Sequence, residues 1–338
     1  MLHPQLVFLF HRHSTTDMAP LDELSGVLSS VLDCGLRALI QHIDLTPLSR
    51  ISPKRLAKTA LPHLGCVELV SGSAYESDYD ELYRSNFQGG ERERSELIVA
   101  RLMDDTLDKR KDLTPFRVLG LRDPTRSAIG AAHFSVLFFE KNDHAVPYLQ
   151  YIYIRPENRR QDLSELLHTL VVAVTMALAI ESGSIDAVKV PFTLCETEPA
   201  VRRDGAPQRA YAVNRSQIHS KSGSQALMLR RKADGRVISA HVQPGLDVHE
   251  PPLTYIWALR ANPAVELAFE GGGGMGKSLI SAYYQSLIDE GFPRENIAQA
   301  KRLAEARQQD DAEFCLLPLS EITTDMYIDI DDVRECGN

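Results

Sequence analysis

The chain has 338 residues, of which 43% are hydrophobic and 25% charged, and a formal net charge of −9. That length leaves room for roughly two domains of ordinary globular composition. The acidic balance disfavours a broad nucleic-acid or anionic-membrane surface and leaves only a local basic cleft open.

Residues 1–63 read as a small N-terminal α/β appendage. Leu6–Phe10 suits a strand, Leu21–Leu32 a helix stopped at Gly35, and Leu36–Ile43 a second strand. Pro53–Leu61 suits a short helix that Pro62 ends. The opening LVFLFHRHSTT is similar to the strand-Arg-His-Gly-x-Thr start of histidine phosphatases through Arg12, His13 and Thr16, with Ser14 in the glycine position. No matching downstream motif follows, so exposed histidines after an edge strand are the plainer reading. His11 and His13 alternate, but two ligands without a third make no metal site, and none is expected.

Residues 64–262 alternate strands and helices. Cys66–Val70 reads as a strand, Asp78–Phe87 and Glu91–Leu107 as helices, and Phe116–Arg122 and Ile129–Phe139 as strands joined by the DPTRS turn. Tyr148–Ile154 is aromatic and β-branched, as a packed strand requires, and Pro156 lies just beyond its end. Leu163, Leu166, Leu167, Leu170, Val171, Val174, Ala177 and Leu178 then follow one helical face, giving a helix over Leu163–Glu181. Ala187–Cys195, Ala226–Arg231 and Leu253–Ala261 complete the strands, with a short helix at Pro207–Ile218. Residues 263–338 read as a helical C-terminal extension, with helices at Lys277–Glu290 and Arg294–Gln308 and a short strand at Glu313–Leu317.

The five cysteines, Cys34, Cys66, Cys195, Cys315 and Cys336, are scattered and form no CxxC pair. They suit reduced thiols in a cytoplasmic setting better than a disulfide framework. Leu6–Phe10 is too short for a signal-peptide core, and no apolar run is expected to span a membrane.

A strand that feeds a helix N-terminus through a short polar loop aims free N–H groups and the helix dipole at one place, where an anion can bind. The run from Tyr148 to Ile180 resembles motif A of the Gcn5-related N-acetyltransferases, whose central strand leads into an [RQ]-x-x-G-x-[GA] loop. Here that loop is Arg159, Arg160, Gln161, Asp162, Leu163 and Ser164, with Asp162 in the position of the central glycine. The resemblance implies an α/β acyl-CoA N-acyltransferase fold with a mixed, mostly antiparallel sheet flanked by helices. It implies acetyl-CoA as co-substrate, its pantetheine arm on the free backbone of Ile152, Tyr153 and Ile154 and its pyrophosphate on the loop. The acceptor would be a small-molecule or peptide amine. Glu196 and Glu198, in CETEP, occupy the place of a general base, and Tyr211 the place of an acid for the leaving thiolate. Each has a plainer reading: solvent-facing glutamates before Pro199, and a half-buried tyrosine. Cys195 is expected as a core residue, since only His219 lies near in sequence to activate it.

Asp162 departs from the pattern. An aspartate at this position is expected to turn its carboxylate onto the helix N–H groups, and Asp162-x-x-Glu165 reads as a capping box. The helix would then be self-capped, which points to the alternative of a module of the same fold that has lost its cofactor. Arg159 and Arg160 could instead hold phosphate by their side chains. A third reading comes from Gly271–Ser278, GGGGMGKS, which matches the P-loop pattern with Lys277 and Ser278 as phosphate and magnesium ligands. Only 60 residues follow Ser278, too few for the remaining strands of a nucleotide-binding sheet. A flexible glycine linker is the preferred reading of that run.

Overall fold

The computed structural model describes residues 23–87, 92–107, 109–139, 144–182, 189–197, 206–248, 250–265, 274–308, 312–323 and 326. Three short helices open this part of the chain: α1 (Glu23–Leu28), α2 (Cys34–Ile40) and α3 (Pro53–Thr59). The strand expected at Leu36–Ile43 is therefore a helix. Asp33 caps it by accepting from the Leu36 N–H at 2.6 Å, and Leu36 and Ile40, four apart, bury on one face. Local capping decides between helix and strand in a short apolar run that is compatible with both. The strand expected at Leu6–Phe10 lies outside the described residues.

β1 (Cys66–Leu69) follows, then α4 (Gly72–Ala74), which continues through a π turn at Tyr75–Tyr79 into α5 (Asp80–Asn86). α6 (Ser95–Thr106) precedes β2 (Phe116–Arg122), β3 (Ala128–Phe139) and β4 (His144–Ile154). α7 (Leu163–Glu181) crosses to β5 (Phe192–Thr197), followed by α8 (Ala206–Lys221), β6 (Gln225–Arg231), β7 (Val237–Ser239) and β8 (Ile256–Ala261). α9 (Gly274–Asp289), α10 (Arg294–Arg307) and β9 (Ala312–Pro318) close the described chain.

The strands form one sheet in the order β1-β2-β3-β4-β5-β8-β6-β7, with β9 on the other edge of β6. Every named strand pair is antiparallel except β4 with β5, which α7 joins as a crossover. One face packs on α7 and, beyond it, on α1–α3. The other carries α4–α6 over β2 and β3, and α9 with α10 farther along the sheet. β9 was legible as a strand, and it pairs with β6 over the full length of both.

α7 explains itself by this sandwich. By length and a mean hydropathy of 1.9 it is apolar enough to cross a membrane, contrary to the expectation that no run would be. Its buried residues run almost all the way round, from Leu163 to Ala179. A helix that is hydrophobic on all sides is a buried helix, and here the sheet covers one side and α2 the other.

Candidate active site

β4 and β5 pair only at Tyr148 with Leu194 and Leu149 with Cys195, and then part. On its other edge β4 stays with β3, but the register slips between His133–Tyr151 and Phe134–Leu149, leaving Gln150 as a one-residue bulge. The bulge falls where the two strands diverge, and bulges re-aim side chains and end pairing. Ile152, Tyr153 and Ile154 lie past the divergence, so their β5-facing backbone has no strand partner among the described residues. Tyr153 turns its hydroxyl to His133 Nε2 at 3.0 Å, in a buried aromatic cluster.

β4 ends in a loop with an unusual backbone. Arg160 has φ 64° and Asp162 φ 57°, two of the three described non-glycine residues in the left-handed region. That region costs a residue with a Cβ about 1–2 kcal/mol, least for aspartate and asparagine. The loop thus holds Asp162 in the conformation a glycine would adopt there. The expected cap does not form: the Asp162 side chain makes no bond to the helix N–H groups. It accepts instead from Arg55 Nε at 2.7 Å, Arg55 Nη2 at 2.9 Å and Thr59 Oγ1 at 2.9 Å, all from α3. Burial raises its pKa, but the bonds from Arg55 and Thr59 outweigh this and hold it below the usual carboxylate range. Glu165 is drawn away too, to the Arg50 N–H at 3.1 Å and to Arg260. The capping box is therefore absent because both carboxylates have arginine partners far away in sequence. Arg159 donates to the Ile154 carbonyl at 3.0 Å and to Asn86 at 3.2 Å, so it touches the free edge of β4 itself. Arg160 and Ser164 are exposed, Leu163 is buried in the core, and Gln161 Oε1 has no hydrogen-bond partner among the described residues.

The cleft at the divergence is lined by Tyr148, Gln150 and Tyr151 of β4, Glu196 of β5 and Tyr283 and Leu287 of α9, with Glu93 and Arg215 among the charged residues. Glu196 accepts from His241 Nε2 at 2.6 Å and from the Tyr283 hydroxyl at 2.9 Å, and Tyr148 also bonds it. Burial opposes its charge, yet His241 and the two tyrosines outweigh burial and hold Glu196 below its ordinary range. Burial lowers the His241 pKa. The pair is therefore an ionised glutamate and a neutral imidazole protonated on Nε2, which leaves Nδ1 as the ring's lone pair. His241 Nδ1 has no partner among the described residues, as that tautomer allows. The ring stacks on Trp257 with centroids 4.5 Å apart, which fixes its plane.

A second carboxylate reaches the same cleft. Glu93 is 2% exposed and meets Arg101 at 2.5 Å, while Arg101 Nη1 donates to Glu290 at 3.1 Å. Glu290 also accepts from Ser135 of β3 and from Gln150 Nε2 at 2.7 Å. Burial pushes Glu93 up to about 7; Arg101 opposes the rise and Glu290 adds to it.

A mostly antiparallel sheet, one parallel pair crossed by a helix, and strands that part at a bulge define the architecture. This is a GNAT-like arrangement, the one the resemblance in sequence implies. No family model matches the sequence, and no characterised protein matches it in sequence comparison. Among solved structures, a suspected acetyltransferase of Acinetobacter baylyi aligns over 58% of this chain and 91% of its own, with 14% identity and a TM-score of 0.34. A GNAT-superfamily phosphinothricin acetyltransferase of Sinorhizobium meliloti, solved with acetyl-CoA, aligns over 58% and 87%, with 14% identity and a TM-score of 0.31. A suspected acyl-CoA N-acyltransferase of Klebsiella pneumoniae aligns over 58% and 96%, with 16% identity and a TM-score of 0.25. These superpositions are loose, and the assignment of this GNAT-like fold rests on the chain's own strand order and divergence.

Of the residues singled out by sequence, the structure brings Glu196 to the cleft and Arg159, Arg160 and Asp162 to the loop. Glu198 lies outside the described residues, as does the side chain of Tyr211 on α8. Cys195 is buried and its thiol is pushed up to about 12 by burial, so it is a packing residue. Residues 271–273 of the glycine run and His11, Arg12, His13 and Thr16 lie outside the described residues. Lys277 is exposed in the first turn of α9, and β8, the last described strand before it, is antiparallel to both neighbours. A P-loop instead follows a strand of a parallel sheet. Glu93, Gln150, His241 and Tyr283 were not anticipated, because only the sheet and α9 bring them together.

Proposed function

We propose that the chain binds acyl-CoA along the free edge of β4 and transfers the acyl group to an amine. One observation carries this reading: the parted β4 edge runs straight into a loop held in a glycine-like backbone at Arg160 and Asp162, ahead of the N-terminus of α7. Strained backbone at such a place is a pointer to function. The pantetheine arm would lie against Ile152–Ile154, and the pyrophosphate near the first turn at Leu163 and Ser164, with Arg159 and Arg160 as side-chain donors. The residues fit in part, since the Asp162 carboxylate sits beside that place and Arg55 neutralises it.

In the transfer, the amine nitrogen bonds to the thioester carbonyl carbon and the carbon–sulfur bond breaks. The amine proton passes to a carboxylate, directly or through water, and the leaving thiolate takes a proton from the carboxyl group so formed, directly or through water, which restores the carboxylate. Glu196 is ionised and faces the cleft, so it can accept that proton. Calorimetric titration with acetyl-CoA and with CoA tests the binding half, and release of free thiol with a panel of amines tests the transfer. Binding that weakens in Arg160→Ala, with thiol release lost in Glu196→Gln, supports the proposal. Absence of binding at millimolar acetyl-CoA sinks it. The bond from Arg159 to the Ile154 carbonyl would then mark a binding module whose cofactor edge is closed by its own chain.

A further inference from the structure

The cluster of Glu93, Arg101 and Glu290 carries one negative charge in excess whenever Glu93 is ionised. Two carboxylates share one guanidinium, and all three side chains are at most 3% exposed. Glu290 has both oxygens engaged, Oε1 by Ser135 and Oε2 by Arg101 and Gln150. Glu93 Oε2 takes Arg101, but Glu93 Oε1 has no hydrogen-bond partner among the described residues. A buried carboxylate oxygen without a donor is costly, and Glu93 lines the cleft. Across the β4 bulge, the same cleft exposes the ionised Glu196. Tyr148, Tyr151, Tyr255 and Phe292 supply aromatic walls, which suit an alkylammonium. Arg215 also enters the lining, with interactions of its own.

Building on the acyl-transfer reading, we infer that the acceptor is a diamine, with one nitrogen presented to Glu196 and a second, cationic nitrogen held by Glu93. The second ammonium gives Glu93 Oε1 a donor and a counter-charge, so that Glu93 stays ionised at neutral pH, where burial otherwise favours its protonated form. A monoamine does neither.

The test is calorimetric titration of the full chain, with and without saturating acetyl-CoA, comparing putrescine and cadaverine with butylamine and amylamine. The diamines should bind about tenfold or more tightly than the monoamines of equal chain length, the scale of one charge-assisted hydrogen bond. Glu93→Gln should erase that preference, so that diamine and monoamine of equal chain length bind alike. Equal binding of diamine and monoamine by wild type overturns the inference and requires no variant to fold. So does a diamine preference that survives Glu93→Gln. Failure of acetyl-CoA to bind would overturn the acyl-transfer reading instead, and the titrations without acetyl-CoA would still judge Glu93.

Discussion

Replacing Asp162 with glycine separates the two tasks of the loop before α7. In the wild type this residue holds φ 57° and turns its carboxylate to Arg55 and Thr59 rather than to the helix. Glycine relieves a left-handed strain of about 1 kcal/mol. It costs about 0.5–1 kcal/mol in extra unfolded-chain entropy. These two nearly cancel, which leaves the lost bonds from Arg55 and Thr59 as the net cost, about 1 kcal/mol, and the variant should unfold a few degrees below wild type. Affinity should rise. A carboxylate beside an incoming pyrophosphate at a helix N-terminus is unfavourable by about 0.3–2 kcal/mol, or roughly two- to thirtyfold in Kd. Arg55 already offsets part of that charge, so a gain of a few-fold in CoA affinity is expected. Asp162→Asn keeps a side chain tolerant of the left-handed backbone and removes only the charge; it should give a similar gain. Calorimetry with CoA reads both. Unchanged or weaker binding in the two variants, alongside measurable wild-type binding, would refute the placement of the pyrophosphate at this loop.

Glu196→Gln should lower acyl transfer by about a hundredfold or more while leaving CoA affinity intact, as read by thiol release and calorimetry. Because His241 helps hold the Glu196 pKa down, its carboxylate stays charged as pH falls below the usual range, and His241→Phe should move the acid limb of the pH–rate profile upward. Glu93 has the opposite sign: its folded pKa of about 7 exceeds the ordinary 4.5, so the folded state binds the proton more tightly. Stability should therefore fall as pH rises between those two values, by on the order of 3 kcal/mol, and Glu93→Gln should flatten that slope in denaturant titrations at several pH values. Lys277→Ala should leave stability and ligand binding as they are, whereas Gly276→Val should destabilise, since a Cβ there would lie 2.5 Å from the Phe314 ring. Loss of a nucleotide-induced thermal shift in Lys277→Ala would revive the phosphate-loop reading of the glycine run.

The central elements were legible because their signals are local. β2 and α7 begin and end where the pattern of apolar residues places them. The loop was legible as a location but not as a structure. Nothing near Asp162 in the sequence announces that Arg55 and Thr59, more than a hundred residues earlier, will take its carboxylate. The same holds for Glu165, which meets Arg260 instead of closing a capping box. α2 was misread because its short apolar run fits strand and helix alike, and the bond from Asp33 to Leu36 that decides the matter is a single cap.

The chemistry of the cleft was half legible for a related reason. The strand position of Glu196 follows from the order of elements, but its charge state does not. That depends on His241, which follows β7, on Tyr283 of α9 and on Tyr148 of β4. Likewise Glu290, just beyond α9, joins Arg101 of α6 to Gln150 at the bulge. Both carboxylates that face the cleft are therefore tuned by residues from the last part of the chain, on a helix read from sequence as an extension. α9 packs against β3 and closes the cleft from the face opposite α7. If the β4 edge holds the acyl donor, the face lined from α9 is where the acceptor must approach. The residues that choose the acceptor then lie outside the segment whose pattern first suggested the fold.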